Sequence, residues 1–553
     1  MKLPGQRLIV QPDRHNNVAS RQPTPASHRA ADRLPYTRHS PQAAAPRNRL
    51  ASPDKLSGSA RGLLGLIDPR GRPTATGAIR TAVEARLRVL ASGAADGGDG
   101  EGPPAAGWGA ATLYLRAHAG TPDCNPAAPS PRQQTTQSIM GSVVKPVIIS
   151  GAGVVGLTLA HALKKAGIPF EIYERDEHID ARPHGWAITL HWVLPFLRKM
   201  LDDETLAAVD AVQVDPEVGR NDNGNFLFLN LETLETKFRI PPNERRRVNR
   251  ERLRKALLRG VAEHVRWGRR LTGVELLDGN GDGIDGDGDV RAVFADGSSV
   301  DGRLLVGAEG SNSQTRRFLV PDTFRNYQLP VRLVGAAIDL RPDEAQPLRD
   351  IDPLLFQGCH PVTGNFLWIS MLETPDTNGS AGTPDAHYRI QVIVSWPVRD
   401  PEADEVPDGD AARVAEMQRR AADFHPLLRN VVDAIPPTAS VMEIALQDWP
   451  CQQWDSRGGR VTLVGDAAHA MTMYRGEAAN HGILDAYILA RRIEEVYAGG
   501  KARAEAIVEY EEEMRERAAP AVLLSRQACL DAHDYHGLNE NSAVLKRRAI
   551  TTK

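Results

Sequence analysis

Three glycines, Gly151, Gly153 and Gly156, form a GxGxxG motif between an apolar run at 146–150 and a segment of helical spacing at 157–165. In such a motif the first glycine permits a tight turn and the second lets the backbone approach a pyrophosphate closely. The third lets the helix pack against the strand. Free N–H groups and the positive end of the helix dipole would then hold the phosphates. The motif therefore predicts a dinucleotide site.

An acidic residue at the end of the next predicted strand extends this site. The run 170–174 has the pattern of a strand, and Glu174 stands 23 positions after Gly151. An acid in this position accepts hydrogen bonds from the adenosine ribose in folds of this kind. The combination favours a bound dinucleotide over a glycine-rich turn that only packs a helix. It does not separate NAD from FAD.

A second carboxylate follows another apolar strand late in the chain. The run 461–465 ends in Gly465 and is followed by Asp466. Ligands in open α/β folds bind outside the carboxyl ends of the strands, so Asp466 is positioned to accept hydrogen bonds from a polyol such as a ribityl chain. The alternative is that Asp466 only caps the helix that follows. A third predicted strand, at 304–307, leads into a small-residue loop that contains Glu309.

These three motifs, in this order and spread, resemble those of the aromatic-hydroxylase type of FAD-dependent monooxygenase, the para-hydroxybenzoate hydroxylase superfamily. The resemblance covers about residues 145–490 and is closest to fungal natural-product monooxygenases. It implies an α/β fold with an FAD-binding GxGxxG Rossmann-like domain, an inserted, mostly antiparallel substrate sheet, and C-terminal helices. It also implies FAD as cofactor, NAD(P)H as reductant, and the use of O2. The substrate would be an electron-rich small molecule, aromatic or derived from a polyketide, hydroxylated or epoxidised in secondary metabolism.

The resemblance also assigns contacts to the cofactor. It implies that Arg250 binds FAD, that the backbone at Gly185 and Ala187 touches the cofactor, and that Ala479 lies at a helix start facing the flavin ring. The chain departs from the family after the third strand, where Glu309 replaces the usual aspartate. The resemblance identifies no catalytic side chain, and we expect no metal site.

Composition divides the chain into unlike parts. Residues 1–139 are rich in proline and carry 18 Lys and Arg against 9 Asp and Glu, so they are predicted to be a disordered low-complexity extension. The folded protein would then begin near Met140, and the extension need not belong to the mature protein. The remainder is predicted to contain an FAD-binding segment at 140–325, a substrate-binding sheet at 326–450, a return to the FAD-binding domain at 451–490, and C-terminal helices at 491–553.

Bulk properties argue against several other classes of protein. A formal net charge of −3 does not suit a general nucleic-acid binder. The 4 cysteines form no CxxC pair, which suits a reducing compartment, and no apolar run is long enough for a transmembrane segment. We therefore expect a cytoplasmic protein whose partners are a small-molecule substrate and O2. The run 278–289 imitates a calcium loop, but its position between predicted strands favours a Gly/Asp-rich hairpin loop.

Two alternative functions stay open at this point. An FAD-linked dehydrogenase or oxidase would share the cofactor domain but would not insert oxygen into its substrate. A non-catalytic nucleotide-binding protein would keep the motifs without turnover. The substrate, the choice between NADH and NADPH, and the oligomeric state do not follow from the sequence.

Overall fold

Five short strands form a parallel sheet, in the order Val461–Leu463, Leu304–Gly307, Val147–Ser150, Phe170–Tyr173 and Val265–Arg266. They belong to a computed structural model that describes residues 145–181, 186–222, 226–240, 244–278 and 288–547. The predicted extension at 1–139, Gly185 and most of the calcium-like loop lie outside the described residues. Val147, Ile148 and Ile149 are fully buried, because a parallel sheet is covered on both faces.

The GxGxxG turn connects the central strand of this sheet to helix Val154–Lys165. Leu157, Leu159 and Leu163 are fully buried on the helix, as the helical spacing predicts. The helix also packs against the later helix Ala478–Tyr497. The chain then enters strand Phe170–Tyr173, parallel to the first strand, and so completes a βαβ unit.

Seven strands form a second large sheet, in the order Val441–Glu443, Val331–Leu340, Tyr388–Pro397, Phe366–Glu373, Leu355–Cys359, Phe226–Asn230 and Thr236–Ile240. Among these described strands, only Leu355–Cys359 and Phe226–Asn230 pair in parallel, so the sheet is mostly antiparallel. Its buried side chains form a core distinct from that of the parallel sheet. Two of its strands come from 226–240, before the predicted start of the substrate-binding sheet at 326.

The other strands form smaller pairings. A two-stranded antiparallel ribbon consists of Ala187–Leu190 and Arg246–Asn249. A three-stranded antiparallel sheet consists of Leu271–Leu276, Val290–Phe294 and Ser299–Gly302. A further antiparallel pair consists of Tyr327–Gln328 and Gln447–Asp448. The shorter helices are Leu194–Met200, Asp203–Ala211, Pro216–Arg220, Arg250–Leu258, Gln314–Leu319, Pro342–Ile351, Pro375–Asn378, Asp410–Arg420, Pro426–Asp433 and Asp466–His469.

Helices Ala478–Tyr497 and Arg503–Asp531 follow the last strand, where the sequence predicts helical segments. The second of these helices contributes to both cores. Tyr510 and Met514 are buried in the core of the parallel sheet, whereas Cys529 is buried in the core of the seven-stranded sheet. Within the described ranges, no helix is both long and apolar enough to cross a membrane.

Candidate functional site

Two cavities open at the carboxyl ends of the parallel strands. The smaller, of about 390 Å³, is lined by the GxGxxG turn, Glu174, Glu309 and several arginines. The larger, of about 730 Å³, extends from Asp466 to the seven-stranded sheet. Arg250 lines both cavities. The two spaces therefore adjoin at the start of helix Arg250–Leu258, and together they could hold an elongated ligand.

The three motif glycines lie at positions where a side chain would interfere with the turn or with a ligand. A Cβ on Gly151, which has φ of +114°, would lie 2.4 Å from the Ala308 carbonyl oxygen. A Cβ on Gly156 would lie 2.1 Å from the carbonyl oxygen of Gly151, because helix and strand pack closely there. Gly153 differs, since a Cβ there would meet nothing within 4 Å. Gly153 therefore presents its backbone to open space in the smaller cavity.

Glu174 lies beside this turn and lines the smaller cavity. Its Oε2 accepts a hydrogen bond from the backbone N–H of Ala152 at 2.8 Å, and its Oε1 accepts one from Asp176 N–H at 3.1 Å. Arg254 Nη2 lies 3.4 Å from Glu174 Oε2, while Arg254 Nε donates to the Ala152 carbonyl at 2.8 Å. The acid thus fixes the glycine turn as well as facing the cavity.

Arg254 was not predicted as a site residue. It is almost fully buried and follows Arg250 by one helical turn, so both side chains project towards the same region. This spacing, read on a helix that starts beside the cofactor site, is the signal that could have revealed Arg254.

Four of the predicted residues lie around the larger cavity, namely Ala187, Arg250, Asp466 and Ala479. Ala187 belongs to the ribbon and Arg250 begins the helix after it. Asp466 follows strand Val461–Leu463, and Ala479 lies at the start of helix Ala478–Tyr497. Much of the remaining lining consists of apolar and aromatic side chains of the seven-stranded sheet, including Phe226, Trp368 and Ile393. The cavity lining thus combines the charged side chains of Arg250 and Asp466 with largely apolar and aromatic side chains of the seven-stranded sheet.

Asp466 is the first residue of a short helix whose N-cap is Gly465, so Asp466 does not occupy the capping position. Desolvation raises the pKa of its carboxyl above the ordinary value, although His469, Arg250 and Arg316 lower it. Because a desolvated carboxylate needs hydrogen-bond donors, Asp466 is suited to a polyol in the larger cavity.

A buried ionic network lies behind the Gly465–Asp466 turn. Asp485 Oδ2 accepts the backbone N–H of Gly465 at 2.8 Å and lies 2.5 Å from His469 Nε2. Arg517 donates to Asp485 Oδ1 at 2.7 Å. Burial alone would raise the pKa of Asp485, but His469 and Arg517 hold it well below its usual range. Asp485 therefore stays ionised and fixes the turn that carries Asp466.

Asp485 and Arg517 were missed by the sequence analysis. The signal for Asp485 is one charged residue within the otherwise apolar run 482–490. Arg517 gives no local signal, because its role depends on packing against an element 32 residues away in the chain.

Glu309, the departure from the family pattern, lines the smaller cavity and also binds the loop that follows it. Its carboxylate accepts hydrogen bonds from Ser313 Oγ at 2.6 Å and from Thr315 Oγ1 at 2.7 Å. It also accepts the Thr315 backbone N–H at 3.1 Å. The glutamate thus stabilises the start of helix Gln314–Leu319.

Comparison with known proteins gives the class to which this site belongs. A family model described as FAD binding domain matches residues 145–525. Over 350 residues the chain is 46% identical to FAD-dependent monooxygenase dbaB of Emericella nidulans, an alignment covering 63% of this chain and 86% of that protein. It is 40% identical over 429 residues to a probable FAD-dependent monooxygenase of Arthroderma benhamiae, covering 74% of this chain and 97% of that protein. The chain therefore belongs to the FAD binding domain family, among its FAD-dependent monooxygenases.

The fold is shared with solved structures as well. The 2,6-dihydroxypyridine-3-hydroxylase of Arthrobacter nicotinovorans superposes with a TM-score of 0.56 at 15% identity, covering 74% of this chain and 99% of that chain. The family model and the relatives confirm the predicted family, the prediction of FAD as cofactor and the prediction that the protein is an enzyme.

Proposed function

We propose that FAD lies across the two cavities, with its adenosine in the smaller cavity and its flavin ring in the larger. Arg250 lines both cavities and would lie beside the middle of the cofactor. The open space at Gly153 suits a pyrophosphate, because no side chain occupies it. Helix Val154–Lys165 has no acidic residue in its first turn, so its N-terminal dipole is available to the phosphates.

The remaining predicted residues take roles along the same path. Glu174 would accept hydrogen bonds from the adenosine ribose, since a carboxylate has about four lone-pair sites and can bind more donors than its backbone partners. Asp466 would accept hydrogen bonds from the ribityl chain. Ala479 would lie near the flavin ring, where the N-terminus of helix Ala478–Tyr497 can stabilise negative charge on the reduced ring. The backbone at Ala187 would touch the cofactor, and the contact predicted for Gly185 lies outside the described residues.

The reaction we propose is the NAD(P)H- and O2-dependent hydroxylation or epoxidation of an electron-rich small molecule in secondary metabolism. Bound FAD supplies hydride uptake and oxygen activation, whereas the chain holds the ring and excludes water. The observation that carries this proposal is the larger cavity itself. Its lining combines the predicted cofactor residues with apolar side chains that include Phe226, Trp368 and Ile393, which suits an aromatic or polyketide-derived substrate.

This function is tested by following NAD(P)H oxidation and oxygen uptake by the FAD-loaded enzyme. We expect slow NAD(P)H oxidation without substrate, ending in hydrogen peroxide, and faster oxidation with a phenolic aromatic compound. Substrate oxidation that needs no NAD(P)H would favour an FAD-linked oxidase or dehydrogenase. A flavin that no nicotinamide and no substrate reduces would favour a non-catalytic nucleotide-binding protein.

A further inference from the structure

Among the described residues, four arginines line the larger cavity, and three of them already have a carboxylate partner. These three ion pairs are Arg245 with Asp222 at 2.6 Å, Arg250 with Glu251 at 2.5 Å, and Arg475 with Glu477 at 2.6 Å. A buried arginine is ordinarily neutralised in this way, because an unpaired charge is costly away from water.

Arg247 is the exception. It is 5% exposed, and within the described parts of the chain it forms no ion pair with a carboxylate. Its Nη1 donates to Thr189 Oγ1 at 3.0 Å and its Nη2 donates to Ser370 Oγ at 2.6 Å. Its Nε is buried without a hydrogen-bond partner among the described residues. A guanidinium has about five N–H donors, so Arg247 retains donors that these two hydroxyls do not use.

The electrostatic environment agrees with this geometry. Burial, and to a lesser extent the charge of Arg245, lowers the pKa of Arg247 to about 9. In the part of the chain that the structure describes, no carboxylate counteracts this fall in the pKa of Arg247. For Arg316, by contrast, Glu309 and Asp466 counteract the fall in part. Arginine nevertheless stays protonated in proteins. Within the described residues, the cavity therefore contains a cation whose charge no neighbouring acid balances.

Arg247 lies at the end of the cavity formed by the seven-stranded sheet. Its partner Ser370 belongs to strand Phe366–Glu373, as does Trp368, and Arg247 Cζ is 5.7 Å from the centre of the Trp368 ring. Residues two apart on a strand face the same side, so Ser370 and Trp368 point the same way. Ile393, the strand partner of Trp368, lines the cavity beside it. An arginine here adjoins apolar and aromatic surface.

We propose that Arg247 binds an anionic oxygen of the substrate, a carboxylate or an ionised phenol, while Trp368 and Ile393 contact its apolar body. A planar guanidinium is suited to such a group because it can donate two parallel hydrogen bonds. This inference rests on the proposed function, since it assigns the substrate end of the same cavity. It narrows the substrate from an electron-rich small molecule to an aromatic or polyketide-derived acid or acidic phenol.

The test compares two probes of equal shape on FAD-loaded enzyme without NAD(P)H. Binding of 2-naphthoate and of its neutral analogue 2-naphthamide is measured by titration calorimetry and by changes in the flavin absorption spectrum. We expect the wild type to bind 2-naphthoate at least about tenfold more tightly. Arg247→Met should weaken 2-naphthoate binding by about 10- to 100-fold, the range for a lost charge-assisted hydrogen bond, and leave 2-naphthamide binding within about twofold. Arg247→Lys should lose less of the affinity for 2-naphthoate than Arg247→Met, because lysine keeps the positive charge.

Arg252→Gln is the matched control. Arg252 is five positions after Arg247 in the chain, and its side chain does not line the cavity, so the variant removes a positive charge without changing the cavity. Its affinity for 2-naphthoate should stay at the wild-type value. Equal binding of the two probes by the wild type, or an unchanged preference for 2-naphthoate in Arg247→Met, would overturn the inference. If Arg247→Met does not fold, equal binding of the two probes by the wild type still overturns the inference. Arg247→Ala then tests the residue, since unchanged binding of 2-naphthoate by a folded Arg247→Ala variant would overturn the inference as well.

Two further measurements identify which anion Arg247 prefers and show whether a negative result concerns Arg247 or FAD binding. Bound 2-naphthol that shows the naphtholate spectrum at neutral pH would assign the ionised phenol as the preferred anion, whereas tight binding of 2-naphthoate alone would assign the carboxylate. FAD content is measured first in every variant. Enzyme that retains FAD but does not distinguish the probes contradicts the role of Arg247 only, whereas protein that cannot be loaded with FAD contradicts the proposed function itself.

Discussion

Asp466 and Arg247 both line the larger cavity and represent two ways of using a buried charge. Desolvation raises the pKa of the Asp466 carboxyl, although His469, Arg250 and Arg316 offset part of that rise. No acid in the described part of the chain offsets the burial of Arg247 in a comparable way. On this account Asp466 is satisfied by the hydroxyls of the cofactor, whereas Arg247 is satisfied only when an acidic substrate is bound.

Replacement of Asp466 tests the first of these roles. Asp466→Ala should raise the dissociation constant for FAD by about 10- to 100-fold, since a hydrogen bond to a charged group contributes about 1.5–3 kcal/mol. The measurement is titration of apoprotein with FAD, followed by the quenching of flavin fluorescence. Asp455→Ala removes an exposed carboxylate from the loop before the same strand and should leave the affinity unchanged. Equal affinities in the two variants would contradict a role for Asp466 in holding the cofactor.

Local spacing predicted several of the residues that line the two cavities. Gly151, Gly153 and Glu174 belong to one βαβ unit, and Asp466 directly follows an apolar strand. Arg247 and Asp485 were not predicted, because their environments are made by distant residues. Ser370, which binds Arg247, lies 123 positions away in the chain, and no local pattern indicates such a contact.

Helix Arg503–Asp531 carries a buried acid against the parallel sheet. Glu511 Oε1 accepts hydrogen bonds from Thr462 Oγ1 and Trp454 Nε1, both at 2.8 Å. Desolvation raises the pKa of Glu511 from 4.5 to about 7, although these hydrogen bonds lower it. A carboxyl whose pKa is raised by folding contributes stability below its unfolded pKa and loses that contribution as pH rises through its folded pKa. Packing of this helix should therefore weaken between about pH 4.5 and about pH 7.

Glu511→Gln tests this dependence, because glutamine keeps an acceptor oxygen but cannot ionise. The variant should melt at a higher temperature than the wild type at about pH 8, and the difference should shrink at about pH 5. The corresponding change in the free energy of unfolding is about 3 kcal/mol, from a pKa rise of about 2.5. The exposed neighbour Glu512 supplies the control, since Glu512→Gln should show no such pH dependence. A melting temperature for Glu511→Gln that is lower at every pH would contradict the raised pKa.

The elements were predicted best where apolar runs are short and end in glycine. Strands Val147–Ser150 and Leu304–Gly307 agree with prediction to within a residue. By contrast, strands Phe226–Asn230 and Thr236–Ile240 were not assigned to the large sheet. Phe226–Asn230 joins it by a parallel pairing with Leu355–Cys359, more than a hundred residues later in the chain. Pairing over such a distance is determined by packing of the whole sheet and not by the local sequence.

The molecule as a whole brings both ends of the described chain to one site. The glycine turn and Glu174 come from the first βαβ unit, Asp466 and Ala479 from the last strand and the helix after it, and the apolar side chains from the sheet between them in sequence. Helix Arg503–Asp531, with side chains in both hydrophobic cores, connects the two large sheets. A cavity assembled in this way can hold a cofactor beside a substrate.

Incorporation of labelled oxygen tests the central claim most directly. The FAD-loaded enzyme is given NAD(P)H and a hydroxynaphthoic acid, a probe that carries both an electron-rich ring and an acid, under 18O2. The account predicts a product that contains one 18O atom by mass spectrometry, with formation that depends on NAD(P)H. A product that has lost two hydrogens and contains no 18O, with the labelled oxygen recovered as hydrogen peroxide, would contradict a monooxygenase and assign the enzyme to the oxidases.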